Sequence, residues 1–209
     1  MNMLDLRVYV ITANLPQLGR THEDVAAAAL AGGAGIIQFR DKEIGDEDFT
    51  GLARRLQQLT LQHDARLIIN DRAEIALAIG ADGVHVGQHD LPFAEVKARA
   101  SRGMIVGVSA TNYAEAAQLA GCGADYLGVG PVFATPSKAD ATPPIGVAEL
   151  ARICHEIRVP IVAIGGITQA NLPSIVAVGA SGAAVISAVS SAPDMSAATA
   201  ALLRIWTQA

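Results

Sequence analysis

The sequence predicts an α/β protein with the (β/α)8 TIM barrel architecture, folded as a single domain over residues 1–209. Eight short apolar runs rich in Val and Ile alternate with helical phrases along the chain. The runs are apolar almost without interruption, which is typical of strands buried on both faces of a parallel sheet. The first run is followed by ITANLPQLG and not by GxGxxG, which favours the closed barrel over an open doubly wound sheet.

The βα unit is the internal repeat of the chain. Short motifs with a glycine, namely GGA, IGA, CGA and VGA, each precede a strand and mark the turn from helix to strand. No shift in composition divides the chain into two parts. The predicted strands span residues 6–12, 35–40, 66–71, 83–88, 104–110, 125–132, 160–167 and 182–188.

Helical phrases connect these strands. The first opens at Thr21, a predicted N-cap, and closes on Gly32 and Gly33. The second is predicted to have Asp46 as its N-cap, with acidic residues in its first turn. The remaining helices are predicted within RAEIALAIGA, LPFAEVKA, NYAEAAQLAGCGA, VAELARICHEI, TQANLPSIVAVGA and DMSAATAALLRIWTQ.

Composition excludes several classes of function. The net charge is −5 with no basic run, which argues against nucleic-acid binding. No apolar stretch approaches the roughly 18 residues of a membrane span, and the N-terminus does not resemble a signal peptide. Cys122 and Cys154 stand apart and do not form a CxxC pair, which fits thiols in a reducing cytoplasm. We therefore expect a cytoplasmic protein with small-molecule partners, and a homo-oligomer is a further expectation.

Chemistry in such a barrel belongs at the C-terminal ends of the strands. Arg40, Lys42 and Lys138 follow strands there and concentrate positive charge within an acidic protein, although a solvated charge cluster is the alternative. Arg and Lys in this arrangement favour a phosphorylated ligand. The segments GGI and ISA, after the last two strands, favour a second phosphate site, because the glycines of GGI leave backbone N–H groups exposed. No Ser–His–acid set, cysteine nucleophile or zinc-type histidine spacing accompanies them.

Asp71 and Asp90 lie just past two successive predicted strands. Because neighbouring strands are about 5 Å apart, the two carboxylates are expected to share one cation. Mg²⁺ fits, since it takes one or two carboxylates together with phosphate oxygens and water. Each aspartate also precedes a helical phrase, so the N-cap interpretation stands beside the metal interpretation. His85, in the middle of a strand, is interpreted as a satisfied histidine of the barrel core.

Several segments together resemble the thiamine-phosphate synthase (thiamine monophosphate pyrophosphorylase) family. They are QFRDK, IINDRAEIALAIGADGVHVGQHDLP, GVSA, DYLGVGPVFATPSKAD, AIGGIT and AAVISA, and they cover most of the chain. The resemblance implies a (β/α)8 barrel and a Mg²⁺-dependent transferase. The implied reaction joins 4-amino-2-methyl-5-hydroxymethylpyrimidine diphosphate to a thiazole phosphate and releases pyrophosphate by a dissociative, carbocation mechanism.

The resemblance also implies roles for individual residues. Catalytic roles fall to Arg40, Lys42, Ser109 and Lys138, and Mg²⁺ ligation falls to Asp71 and Asp90. Substrate binding is implied for Gln38, Phe39, Arg40, Asp41, Lys42, Asn70, Ser109, Thr135, Pro136, Ser137, Lys138, Gly166, Ile186 and Ser187.

The sequence leaves three matters open at this stage. His89 stands where an acid is common in the family. The loop 132–144 is long for a βα connection and is predicted to order over bound substrate. A thiazole tautomerase on the same scaffold and a non-catalytic phosphate-ligand binding barrel are the alternative functions. RDK, ND, GQHD and PSKAD occurring together favour the synthase.

Overall fold

Eight parallel strands close into a barrel in which each strand is hydrogen-bonded to its neighbours in sequence order, and the last pairs with the first. The computed structural model describes residues 4–88, 90–135 and 143–208. The predicted (β/α)8 architecture is confirmed. The strands are β1 Val8–Ile11, β2 Ile36–Phe39, β3 Arg66–Asn70, β4 Gly83–Val86, β5 Ile105–Ala110, β6 Tyr126–Val129, β7 Ile161–Ile164 and β8 Gly182–Val185.

Helices follow the strands and pack around the barrel. Thr21 caps the first helix through a capping box with Asp24, as predicted. The prediction of Asp46 as N-cap is wrong, because Gly45 holds that position and Asp46 begins the helix, where its charge still favours the N-terminus. The helices are α1 His22–Ala31, α2 Asp46–Gln62, α3 Ala73–Ile79, α4 Phe93–Arg99, α5 Tyr113–Gly121, α6 Gly146–Glu156, α7 Leu172–Ala177, α8 Ser187–Ser190 and α9 Met195–Gln208.

The core has two layers because successive residues of a strand face opposite sides of the sheet. Val8 and Val10 of β1 belong to the large apolar layer between strands and helices, whereas Tyr9 and Ile11 belong to a smaller cluster inside the barrel. Each fully buried aliphatic side chain of this kind contributes about 1.5–3 kcal/mol. The inner cluster lies directly beneath the residues at the C-terminal ends of the strands.

Gly107 of β5 makes room for Tyr126, one of the two tyrosines inside the barrel. A Cβ at this position would lie 2.1 Å from the ring of Tyr126, so any other residue would displace the tyrosine. Gly128 of β6 has a similar role, because its Cβ would approach the His85 ring to 3.0 Å. The two inward-facing glycines thus leave space inside the barrel for the rings of Tyr126 and His85.

None of the helices among the described residues combines the length and the apolar character needed to cross a bilayer.

Candidate functional site

A cavity of about 290 Å³ opens at the C-terminal ends of the strands, and all eight strands or the loops that follow them contribute to it. This is the end of the barrel at which the sequence predicts the chemistry. Many of the predicted site residues line it together. They are Gln38, Arg40, Lys42, Asn70, Asp71, Asp90, Ser109, Thr135, Gly166, Ile186 and Ser187.

Two predicted substrate-binding residues do not bring their side chains to the cavity. Phe39 is fully buried between the barrel and the helices, against His22 and Phe49. Asp41 directs its carboxylate away from the cavity, to Nε2 of His22 at 2.9 Å. The alternation that begins in β2 explains both, since Gln38 and Arg40 face inward whereas Phe39 and, just past the strand, Asp41 face outward. Four further residues of the prediction, His89, Pro136, Ser137 and Lys138, lie outside the described part of the chain.

Asp71 and Asp90 meet at the cavity wall. The backbone N–H of Asp71 donates to the carbonyl of His85 at 2.9 Å, which ties the loop after β3 to the end of β4. The N–H of Gly87 donates to Oδ2 of Asp90 at 2.7 Å and folds the loop after β4 back towards it. The two carboxyl groups lie within hydrogen-bonding reach of each other, and Nζ of Lys42 is 3.9 Å from Oδ2 of Asp71.

Neither aspartate caps a helix. The N-cap of α3 is Arg72 and the N-cap of α4 is Pro92. Neither N-cap side chain makes a capping hydrogen bond at the start of its helix. The N-cap interpretation is therefore wrong for both residues. Asp71 instead has a backbone φ of +62°, in the left-handed region, which few residue types other than Gly, Asn and Asp adopt readily. This conformation points its carboxylate to Asp90 and the cations.

The pairing of two carboxyl groups is visible in the pKa of Asp71. Burial and the neighbouring Asp90 raise it from its ordinary value of 3.8 to about 6, while Lys42 and Arg40 oppose the shift. A like-charged pair at a partly buried site stabilises a shared proton or a shared cation. Within the described ranges, no group of three or more His, Cys, Asp or Glu residues surrounds the pair. Two carboxylates suit Mg²⁺, which completes its shell with substrate and water.

Without metal, Asp71→Asn is expected to increase the free energy of unfolding relative to the parent protein by about 1–2 kcal/mol near pH 7.5, and by much less near pH 3.5. Because the folded pKa is raised, the folded state binds the proton more tightly than the unfolded chain, and stability is lost as pH rises from 3.8 to about 6. The full shift corresponds to roughly 3 kcal/mol, which we reduce for solvent screening because the side chain is 26% exposed.

Urea unfolding in EDTA across this pH range measures the difference between the two proteins. Asparagine also tolerates the left-handed backbone, so the substitution tests the charge and not the fold. A stability difference that stays constant with pH, or that shrinks as pH rises, would contradict the prediction.

A chain of hydrogen bonds forms the polar floor of the cavity. The amide of Gln38 donates to the hydroxyl of Tyr9 at 2.7 Å, and this hydroxyl lies 2.8 Å from that of Tyr126. His85 then joins Tyr126 and Ser109, with Nδ1 and Nε2 each 2.9 Å from a hydroxyl. Burial raises the pKa of both tyrosines, so they remain neutral donors and acceptors. Five strands thus contribute one side chain each.

His85 fulfils the prediction of a satisfied core histidine, being 8% exposed, but it also lines the cavity. Tyr9 and Tyr126 were not predicted as site residues. The available signal was a ring with a polar hydroxyl group in an otherwise apolar strand, near the middle of β1 for Tyr9 and at the start of β6 for Tyr126.

The wall formed by the loops after β6 and β7 depends on close backbone approach. Gly165 and Gly166 have φ values of +95° and +63°, and a Cβ on Gly166 would lie 2.4 Å from the carbonyl oxygen of Ala134. The amide of Asn171 donates to the Gly166 carbonyl at 2.9 Å and holds the turn. Ile186 and Ser187 adjoin this wall at the end of β8. The residues of the predicted second phosphate site lie here, and the site itself stays a prediction.

Comparison with known proteins identifies similar chains over nearly the whole length. The sequence model of the thiamine monophosphate synthase family matches residues 8–189. The thiamine-phosphate synthase of Chloroflexus aurantiacus is 47% identical over 197 residues, covering 94% of this chain and 91% of that protein. That of Methanospirillum hungatei is 45% identical over 196 residues, covering 94% and 95%. A solved thiamine phosphate pyrophosphorylase from Pyrococcus furiosus superimposes with a TM-score of 0.89 at 38% identity, covering 98% and 97%.

Proposed function

The chain belongs to the thiamine monophosphate synthase family of transferases, and on this premise we propose the specific reaction that it catalyses. It condenses 4-amino-2-methyl-5-hydroxymethylpyrimidine diphosphate with a thiazole phosphate, in the presence of Mg²⁺, to give thiamine phosphate and pyrophosphate. The observation that carries the proposal is the meeting of two cationic and two acidic side chains in one cavity, namely Arg40, Lys42, Asp71 and Asp90.

The diphosphate belongs beside these four side chains. Arg40 offers a planar donor set that suits phosphate oxygens, and Lys42 adds a compact point charge. Asp71 and Asp90 would hold Mg²⁺, which when bound neutralises charge that develops on the departing pyrophosphate. The two cations stabilise the same charge from the protein side, so that bond cleavage precedes bond formation. Lys138 is proposed to join them.

The pyrimidine ring belongs above the polar floor. Gln38 and Ser109 are the two ends of the hydrogen-bond chain and both face the cavity. Because each end is held by a partner behind it, both are oriented before substrate arrives. We propose that they and Asn70 fix the ring while the thiazole nitrogen attacks the electron-poor exocyclic carbon. Positioning and charge stabilisation then supply most of the catalysis, and no side-chain nucleophile is needed.

The thiazole phosphate is assigned to the glycine wall. Gly166 and Ser187 adjoin it from two successive βα loops, where phosphate groups are commonly bound in such barrels. Thr135 and Ile186 complete the described part of this set, and Pro136 and Ser137 are proposed to extend it. A cytoplasmic location and a possible homo-oligomer remain proposals.

The decisive experiment is an assay of the purified protein with both substrates. We expect thiamine phosphate and pyrophosphate in equal amounts, with turnover abolished by EDTA and restored by Mg²⁺. Isomerisation of the thiazole without Mg²⁺ or the pyrimidine diphosphate would favour the tautomerase instead. Saturable binding of either phosphate without any turnover would favour a non-catalytic barrel. The cations and carboxylates gathered in the cavity weigh against both alternatives.

A further inference from the structure

The loop between β2 and α2, residues 40–45, carries both described cations of the diphosphate site. Arg40 and Lys42 reach the cavity from it, while Asp41 between them turns outward. The loop is bound from behind by two side chains, His22 and Arg72, that do not line the cavity. Neither residue was singled out by the sequence.

His22 binds the loop at the Asp41 carboxylate. Its Nε2 is 2.9 Å from Oδ2 of Asp41, and its Nδ1 is 2.8 Å from the hydroxyl of Thr12 just after β1. The other oxygen of Asp41 accepts from the N–H groups of Glu43 and Ile44 at 2.8 and 3.2 Å. His22 is only 5% exposed and the Asp41 side chain only 9%, so these bonds form in a dry setting that strengthens them. The carboxylate therefore defines the turn that carries Lys42.

Arg72 binds the same loop at its carbonyl groups. Its guanidinium donates to the carbonyls of Ile44 and Asp41 at 2.7 and 3.3 Å, and to the carboxylate of Asp46 at 2.6 Å. Arg72 directly follows Asp71 along the chain. One side chain thus connects the loop that carries the cations to the loop that carries a proposed metal ligand.

Two phenylalanine rings pack in a row between His22 and Arg72. The Arg72 guanidinium lies over the Phe49 ring at 4.3 Å from its centroid, and Phe49 stacks on Phe39 with centroids 4.1 Å apart. Phe39 in turn meets the His22 ring edge-on at 5.0 Å. The structure therefore places His22, Phe39, Phe49 and Arg72 as one packed unit behind residues 40–45. Its tight packing leaves the loop little freedom to shift alone.

We propose that His22 and Arg72 are positioning residues that hold Arg40 and Lys42 at a fixed separation from Asp71 and Asp90. The proposal rests on the proposed function, in which these four side chains receive the diphosphate and its cation. A cation displaced by about 1 Å costs on the order of 10²-fold in rate when it acts on a transition state. Loss of either positioning residue is therefore expected to weaken diphosphate binding and its chemistry while sparing the thiazole phosphate subsite.

The test compares Arg72→Lys and His22→Gln with Arg66→Lys. Arg66 begins the strand that Arg72 follows, and it pairs with Asp82 at 3.0 Å at the opposite end of the barrel. Calorimetric titration with inorganic pyrophosphate and Mg²⁺ measures the subsite without turnover. We expect roughly tenfold weaker binding for the two positioning variants and unchanged binding for Arg66→Lys. In turnover, the KM for the pyrimidine diphosphate should rise while that for the thiazole phosphate stays constant.

A double variant separates positioning from a general loss of structure. If Arg72 positions Lys42 as well as Arg40, then Arg72→Lys costs less in the Lys42→Ala background than in the parent protein, so the two effects are less than additive. Pyrophosphate affinities within twofold of the parent protein, equal increases in both KM values, or full additivity would each overturn the proposal. Absence of pyrophosphate binding by the parent protein would instead count against the proposed function itself.

Discussion

Asp71→Asn and Asp90→Asn are each expected to lower kcat/KM for the pyrimidine diphosphate by on the order of 10²- to 10³-fold. The two carboxylates lie within hydrogen-bonding reach of each other and are the acidic side chains that line the cavity among the described residues. Removing one would halve the anionic charge proposed to hold Mg²⁺, and the pyrophosphate would then depart with less of its charge neutralised. Asparagine keeps the size of each side chain and, at position 71, accommodates the left-handed backbone.

Magnesium titration distinguishes a binding defect from a folding defect. Both variants should need a higher Mg²⁺ concentration for half-maximal rate and retain the far-UV circular dichroism of the parent protein. Asp82→Asn is the matched control, because Asp82 is as exposed as Asp71, at 25% against 26%, but lies at the opposite end of the barrel. Unchanged Mg²⁺ dependence in both site variants would contradict the metal assignment, whatever the change in rate.

The barrel followed from the sequence because its strands are buried on both faces. Uninterrupted Val and Ile runs mark such strands, but they do not mark where each strand ends. The predicted strand 83–88 ends in the structure at Val86, and the additional residues Gly87 and Gln88 line the cavity. The predicted strand is therefore too long at the point where the loop that lines the cavity begins.

Burial on both faces of the strands is also the reason why the sequence did not predict the hydrogen-bond chain at the floor of the cavity. When every position of a strand is buried, hydrophobicity does not distinguish the inward face from the outward one, and Tyr9 and Tyr126 resembled ordinary core residues. The opposite error occurred in QFRDK, where a contiguous motif suggested five contacts with substrate. Of these five, only Gln38, Arg40 and Lys42 line the cavity. Phe39 and Asp41 face outward, where they contact Phe49 and His22.

The N-cap predictions for Asp71 and Asp90 were wrong for a tertiary reason. Both are residue types that cap helices, and both precede helical phrases, so local sequence supported that role. In the fold, Gly87 offers its N–H to Asp90, and the loop after β3 is bound to the carbonyl of His85. The first contact lies within the loop after β4 and the second joins that strand to the loop after β3, and both hold the aspartates beside the cavity instead of at a helix end.

Arg40→Gln is expected to reduce kcat/KM for the pyrimidine diphosphate by about 10²- to 10³-fold, a loss of roughly 3–4 kcal/mol in transition-state stabilisation. Arg40 is the cation that immediately follows β2, and its charge acts on Asp71 across the cavity. A guanidinium binds phosphate oxygens with two parallel donors, and glutamine lacks both the charge and that geometry. The same change should raise the pKa of Asp71 further, because one of the charges that lowers it is removed.

Arg40→Lys separates charge from geometry, since lysine keeps the charge and loses the planar donor set. Its rate should fall between those of the parent protein and Arg40→Gln, with kcat affected more than the KM for the thiazole phosphate. Arg54→Gln, on the exposed side of α2, is the matched control and should behave as the parent protein. Steady-state kinetics with each substrate varied in turn would measure these effects. Equal rates for Arg40→Gln and the control would remove Arg40 from the diphosphate site and leave Lys42 as its described cation.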